Sequence, residues 1–219
     1  MVITYYGLSC FKIQSGDTTL VFDLPAKKSE IKAPRFHADI IIQSHDYDVE
    51  KIPEDSFLID SPGEYEIKGV YVRGLKSYAD SSSGPPAERA GKKRGLNTVY
   101  VVRLENMNLC FLGDFGEKEL RPELKEGIGK IDLLFAPIIG ELDAEDIRNI
   151  INQIEPAMAI PAHYSEDPPA GEAGKKGDVL KKFLGEMGQK DIKPIEKLSV
   201  KKKDIKENGT EVVVLEKQG

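Results

Sequence analysis

The sequence predicts an α/β protein, more closely α+β, in which two β-sheets pack together between helices. Three observations carry this. The first half of the chain is mostly strand-like. The second half alternates helix-like and strand-like segments. Ile40-Ile41-Ile42 is an unbroken β-branched run, as expected of a strand buried on both faces. A sheet apolar on both sides needs helices or a second sheet to cover it. No Pro/Gly linker divides the 219 residues into balanced halves, so one domain spanning 1–219 is expected. That length is ample for a sizeable core.

Val2 to Tyr6 reads as a strand broken by Gly7, and Cys10 to Gln14 as an alternating strand. Ser15-Gly16-Asp17 is a turn, and Thr18 to Phe22 returns, giving an antiparallel meander. Lys27 to Ala38 is polar and irregular, before the central run at Ile40. Phe57 to Asp60 is a short strand, Ser61-Pro62-Gly63 a turn, and Tyr65 to Arg73 a strand pair broken at Gly69. Ser77 to Leu96 is rich in Ser, Gly, Pro and charge, and reads as a surface loop. Its Lys92-Lys93-Arg94 run is most simply solvated. Asn97 to Leu104 and Leu109 to Leu112 pair as a hairpin around Asn106-Met107-Asn108. Glu117 to Glu126 reads as a short helix that contains Pro122, and Ile131 to Ile139 as a buried strand interrupted by Pro137. A helix starts at Asp143 or Ala144 and runs to Ile154, with Ile147, Ile150, Ile151 and Ile154 at helical spacing. Ala157 to Ile160 is a strand, Ser165 to Asp178 a loop, and Val179 to Met187 a helix. Lys193 to Leu198 and Val212 to Leu215 close the chain as short strands.

A formal net charge of −6 disfavours a dominant nucleic-acid face, which would need a basic surface. No segment reads as membrane-spanning and no secretory leader is evident, so a cytoplasmic protein is expected. Cys10 and Cys110 both sit in apolar runs and are expected to be small reduced core residues.

Three strand ends stand out: His45, Asp114 and His163 each follow an apolar run. The first lies in Gln43-Ser44-His45-Asp46-Tyr47-Asp48-Val49-Glu50, which gathers one His and three carboxylates within six residues. Alone it is most simply a solvated turn, because one His is not a metal site. Asp23, directly after a strand, reads most simply as a turn residue. Arg73 and Glu64 are expected to pair on the surface, and His37 to have no role.

The order of these segments resembles the metallo-β-lactamase fold superfamily, in its branch of small single-domain Zn-dependent hydrolase-like proteins. The resemblance is carried by Thr4 to Phe11, Leu20 to Asp23, Ala38 to His45, Pro62 to Glu66, Gly69 to Gly74, Asn97 to Tyr100, Leu112-Gly113-Asp114, Ala136 to Ile138 and Ile160 to Tyr164. It implies a four-layer αββα sandwich of two mixed sheets with a two-metal site on the rim between them, and for Asp23 a second reading, as a support that holds a ligand loop by hydrogen bonds. The family's His-x-His-x-Asp-His motif falls on His45, Tyr47, Val49 and Glu50. The next histidine position, in Tyr78-Ala79-Asp80, falls on Ala79. The bridging aspartate matches Asp114 and the last histidine His163, while Leu8 replaces a histidine common in the first motif. The resemblance therefore implies His45 and Asp114 as catalytic candidates. His45, Asp114, His163 and the oxygen donor Glu50 are the metal candidates, with His45 and His163 on different ions and Asp114 between them.

Zinc takes four ligands, or three plus water. Val49 and Ala79 offer no donor, and an unperturbed tyrosine is a poor ligand at neutral pH. Glu50, or Asp46, Asp48 or Asp80 on a shifted loop, could contribute oxygens, and such a mixed site would suit Mn or Fe as well as Zn. One Zn, Mn or Fe ion at most is expected, not a full dinuclear centre. The expected function is a hydrolase-derived scaffold, weakly active or inactive, that binds a small-molecule ligand. The alternative is a working hydrolase with a mononuclear site. Neither a nucleic-acid nor a membrane partner is expected, and the oligomeric state is not set by the sequence. The family spans lactones, phosphoesters, thioesters and β-lactams, so the resemblance implies no single substrate.

Overall fold

The computed structural model describes residues 1–27, 29, 37–49, 52–79, 95–138, 142–164, 176–206 and 208–218. The opening meander forms as predicted, with β2 (Cys10–Ser15) antiparallel to both β1 (Val2–Gly7) and β3 (Thr18–Phe22). Strand β4 (Ile40–Ile42) then lies parallel to β3, and β5 (Phe57–Ile59) parallel to β4. All three β4 side chains are buried, as the β-branched run requires. Strand β6 (Gly63–Ile67) turns into β7 (Val70–Tyr78). Arg73 Nε reaches Glu64 Oε1 at 3.3 Å, the expected surface pair.

Strands β8 (Leu96–Leu104) and β9 (Met107–Phe111) form the predicted hairpin, but the turn is Glu105-Asn106. Both residues have positive φ, 49° and 60°, the conformation whose twist suits a two-residue hairpin. Strand β7 also runs further than predicted. Ser77 pairs with Asn97 and Tyr78 with Leu96, so the segment read as a loop begins and ends inside strands. Residues 80–94, with the Lys92–Arg94 run, lie outside the described residues, as do Glu50 and Asp80.

Helix α1 (Pro122–Ile128) starts five residues later than predicted. Pro122 occupies the first turn, where its missing N–H has no partner to lose, and it holds Arg121 extended at ψ 145°. Strand β10 (Leu133–Pro137) is fully buried. Helix α2 (Ala144–Ile154) follows the sequence reading and buries Ile147, Ile150, Ile151 and Ile154. Its N-terminus is a reciprocal box: Asp143 Oδ1 accepts from Asp146 N at 2.8 Å, and Asp146 Oδ2 from Asp143 N at 3.4 Å. We expect Asp143→Ala to cost about 1 kcal/mol, read as a Tm lower by roughly 2–4 °C. Strand β11 (Met158–Ala162), helix α3 (Lys176–Glu186), β12 (Leu198–Ser199) and β13 (Glu211–Val212) complete the chain. The two tail strands are shorter than predicted, and isolated bridges join Ile195 to Leu215 and Tyr5 to Lys217 beyond them.

The strands form two mixed sheets, ordered β12-β1-β2-β3-β4-β5 and β13-β11-β10-β9-β8-β7-β6. They meet through an aromatic cluster. Phe22 from the first sheet stacks on Phe111 from the second, with centroids 4.4 Å apart and planes 5° apart. Phe135 lies 4.9 Å from Phe11 and 5.4 Å from Phe22. Helix α1 packs on β7, α2 on β10, and α3 on α2, so the described helices belong to the side of the second sheet. On the first sheet, Cys10, Val21, Leu24, Ala38 and Ile41 form a separate buried cluster covered by Tyr6, Val49, Ile52 and Leu58. Cys10 and Cys110 are buried and free, and burial pushes both thiols up. Among the described residues no helix is long and apolar enough to cross a membrane.

Candidate functional site

Four strands end on one rim. Asp23 follows β3, Ser44 and His45 follow β4, Gly113 and Asp114 follow β9, and His163 follows β11. The turn between β1 and β2 joins them, since His163 N donates to Leu8 O at 2.7 Å. Asp23 (φ 40°), Leu8 (φ 52°) and His163 (φ 60°) hold left-handed conformations that non-glycine residues rarely adopt. Strained backbone at three converging strand ends is a common mark of a site.

His45, Asp114 and His163 come together. Asp114 Oδ1 lies 2.9 Å from His163 Nε2, and Asp114 Oδ2 lies 3.5 Å from His45 Nε2. One carboxylate thus stands between two imidazoles, each presenting its Nε2. The three side chains remain partly accessible, at 13%, 22% and 21% for Asp114, His163 and His45, so a ligand can reach them. Ser9 Oγ also contacts His163 Nε2.

A buried layer holds these groups. Asp23 accepts from Ser44 N and from Ser44 Oγ, both at 2.7 Å. Having donated its proton there, the Ser44 hydroxyl is left to accept from His45 Nδ1 at 3.0 Å. In a neutral His45 the hydrogen then sits on Nδ1, and Nε2 and the Asp114 carboxylate, both acceptors, attract each other only with a proton or a cation between them. Burial pushes the Asp23 carboxyl up to about 6. The nearby His45 and the two bonds from Ser44 pull it down, and the charge of Asp114 adds to the rise. Of the two readings of Asp23, the structure gives the support.

On the second sheet, Asn97 plays the matching part. Its Oδ1 accepts from Asp114 N at 3.1 Å, and its Nδ2 donates to Ser77 Oγ and Leu112 O, both at 2.8 Å. Asn97 and Ser77 are fully buried. Gly113 lets the chain pass against Ser44: a Cβ there would sit 2.2 Å from Ser44 Cβ and 2.7 Å from Asn97 Oδ1. Ser9, Ser44, Ser77 and Asn97 have no distinctive spacing in the sequence. Only the adjacency of Ser44 to His45 and the position of Asn97 at a strand start hinted at them.

The other motif positions lead elsewhere. Tyr47 donates its hydroxyl to Leu24 O at 2.7 Å, its ring 4.5 Å from that of His45, and burial pushes the phenol above its ordinary range. Val49 bridges to Ala26 and packs on the outer cluster of the first sheet. Ala79 is buried and bridges to Phe115. His37 is exposed, with Nε2 3.4 Å from Asp39 Oδ1, remote from the rim cluster in its contacts. Asp46 and Asp48 are exposed and line, with Gln43, His45, Tyr47 and Asp60, a cavity of about 700 Å³.

The donor set can be tested against the two-ion centre that the fold implies. Each side of Asp114 offers one imidazole and one carboxylate oxygen. That is two protein ligands per ion, short of the three or four that zinc takes. The described residues do not fit a dinuclear centre. Among them, no group of three or more His, Cys, Asp or Glu side chains is arranged to hold a metal ion.

Residues 2–163 match the sequence profile of the beta-lactamase superfamily domain. The chain belongs to the metallo-β-lactamase fold superfamily. It is 26% identical over 202 residues to a UPF0173 metal-dependent hydrolase of Listeria welshimeri, covering 77% of this chain and 87% of that protein. Among solved structures it resembles a proposed Zn-dependent hydrolase of the metallo-β-lactamase superfamily from Thermotoga maritima. There the identity is 25%, with 98% of this chain and 99% of that chain covered and a TM-score of 0.71. An isothiocyanate hydrolase from Delia radicum gut bacteria shares the fold at 13% identity, with 92% and 100% coverage and a TM-score of 0.60. The family is one of metal-dependent hydrolases, and a metal ion is the cofactor it implies.

Proposed function

We propose that this chain keeps the scaffold of a metal-dependent hydrolase but has a dismantled dinuclear site, and that it acts by binding a small molecule at the rim. One observation carries the reading. The places where the family motif would put further ligands hold a buried Ala79, an apolar-packed Val49 and a Tyr47 whose hydroxyl is donated to Leu24 O. Asp114, His45 and His163 persist as a polar cluster, and a cavity adjoins it at His45. Without a bound ion there is no water of lowered pKa, so hydrolysis lacks its nucleophile.

A second reading keeps some activity. His45 and His163 present Nε2 to opposite oxygens of one carboxylate, an arrangement that favours a single Zn, Mn or Fe ion held near Asp114, with Glu50 as a further oxygen donor. Glu50 enters that set from the sequence alone, since it lies outside the described residues. Such an ion would supply an activated water when bound. The residues of this chain would position the substrate and keep His45 in the required tautomer through Ser44 and Asp23.

Elemental analysis of protein purified without chelator or affinity metal separates these readings. We expect well under one equivalent of transition metal per chain. His45→Ala and Asp114→Ala should then leave both metal content and Tm little changed. About one equivalent, lost in both variants, supports the mononuclear reading, and about two overturns the proposal.

A further inference from the structure

The described residues also enclose a cavity far from the rim. It has a volume of about 1110 Å³ and is lined in part by Asp132, Ala157 and Thr210. These residues immediately precede β10, β11 and β13, which run parallel. The cavity therefore lies at the N-terminal ends of these strands, whereas His163 lies past the C-terminal end of β11.

Its lining combines two chemistries. Met187 and Ile205 are partly exposed and give it an apolar side, while Ile128, Ile131 and Ile154 belong to the core behind and show only their edges. Lys125, Lys130, Lys202 and Lys206 line it as well, against the carboxylates of Asp132 and Glu155. Helices α1 and α2 end here, and part of the positive charge answers their carbonyl ends. Lys202 is committed to Asp132 at 2.8 and 2.9 Å, and Lys206 to Glu211 at 2.9 Å. Lys125 and Lys130 are exposed and form no ion pair among the described residues. In a chain of net charge −6, two lysines without an ion pair among the described residues beside an apolar side form a local exception.

We propose that this groove is a second binding site, for an anionic amphiphile: an apolar body, aliphatic or aromatic, carrying a carboxylate, sulfonate or phosphate. Met187 and Ile205 take the body, and Lys125 and Lys130 meet the charge. This site does not depend on the reading of the rim, because no residue is shared between them.

The test uses the full chain and the fluorescent probe 8-anilinonaphthalene-1-sulfonate, with decyl phosphate, decanol and inorganic phosphate as competitors. The wild type should bind the probe saturably with one dominant site. Decyl phosphate should displace it, while decanol and inorganic phosphate at equal concentration should not. Lys125→Glu with Lys130→Glu should weaken binding at least tenfold, and Lys12→Glu, a reversal outside the groove, should leave it unchanged. Gln153→Trp, which narrows the groove without altering charge, should also weaken it and guards against a purely electrostatic effect. Unchanged affinity in the double reversal, with Tm intact, overturns the proposal. So does displacement by decanol as effective as by decyl phosphate.

Discussion

Gly113→Ala is expected to destabilise the protein by on the order of 4 kcal/mol or more, enough to lower Tm by roughly 10 °C. Two effects combine. The residue sits at φ 63°, which side chains rarely adopt. Its new Cβ would also overlap Ser44 Cβ at 2.2 Å and Ser44 Oγ at 2.5 Å. Ser44 cannot withdraw. Its N and Oγ are bonded to Asp23, its carbonyl accepts from Thr98 N at 2.7 Å, and it is fully buried. Gly16→Ala is the control: at φ 55° with open space around it, that substitution carries the strain without the clash and should cost only about 1 kcal/mol. Equal losses in the two variants, by thermal or urea unfolding, would show that the contact with Ser44 is not rigid.

Phe135→Ala should cost about 3–5 kcal/mol. The ring is fully buried and touches Phe11 and Phe22 of one sheet and Phe111 of its own, with a centroid distance of 6.4 Å to the last. Its removal leaves a void at the centre of the interface between sheets, lined by side chains fixed on strands that cannot close over it. Phe135→Leu, which keeps most of the volume, should recover more than half of the loss. Urea unfolding monitored by circular dichroism checks both. A cost below about 1.5 kcal/mol for the alanine variant would mean that the sheets are joined elsewhere.

Much of the fold was legible because its signals are local. The isoleucines of β4 declared a doubly buried strand, and Ile147 to Ile154 declared the face of α2. The start of α1 is less legible, because a proline within a helical pattern reads as an interruption, whereas Pro122 at the first turn is an initiator. The β8–β9 turn is less legible because Glu105 gives no hint of a left-handed conformation. At the rim, His45, Asp114 and His163 could be found because each ends an apolar run. Ser44, Asn97 and Ser9 could not, since a hydroxyl or amide acquires its partner only when separate strands meet. The lysines of the groove come from α1, the segment after it and the tail, and no motif joins them.

Strand β10 separates the two ends of the sheet by five residues, roughly 17 Å along its axis. Between exposed charges at physiological salt, that is about two Debye lengths. A charge change at Lys130 should thus be almost invisible to Asp114, and paired substitutions at the two ends should add in free energy. The molecule has two ends that selection can reshape separately, so a substitution accepted at one leaves the constraints on the other in place.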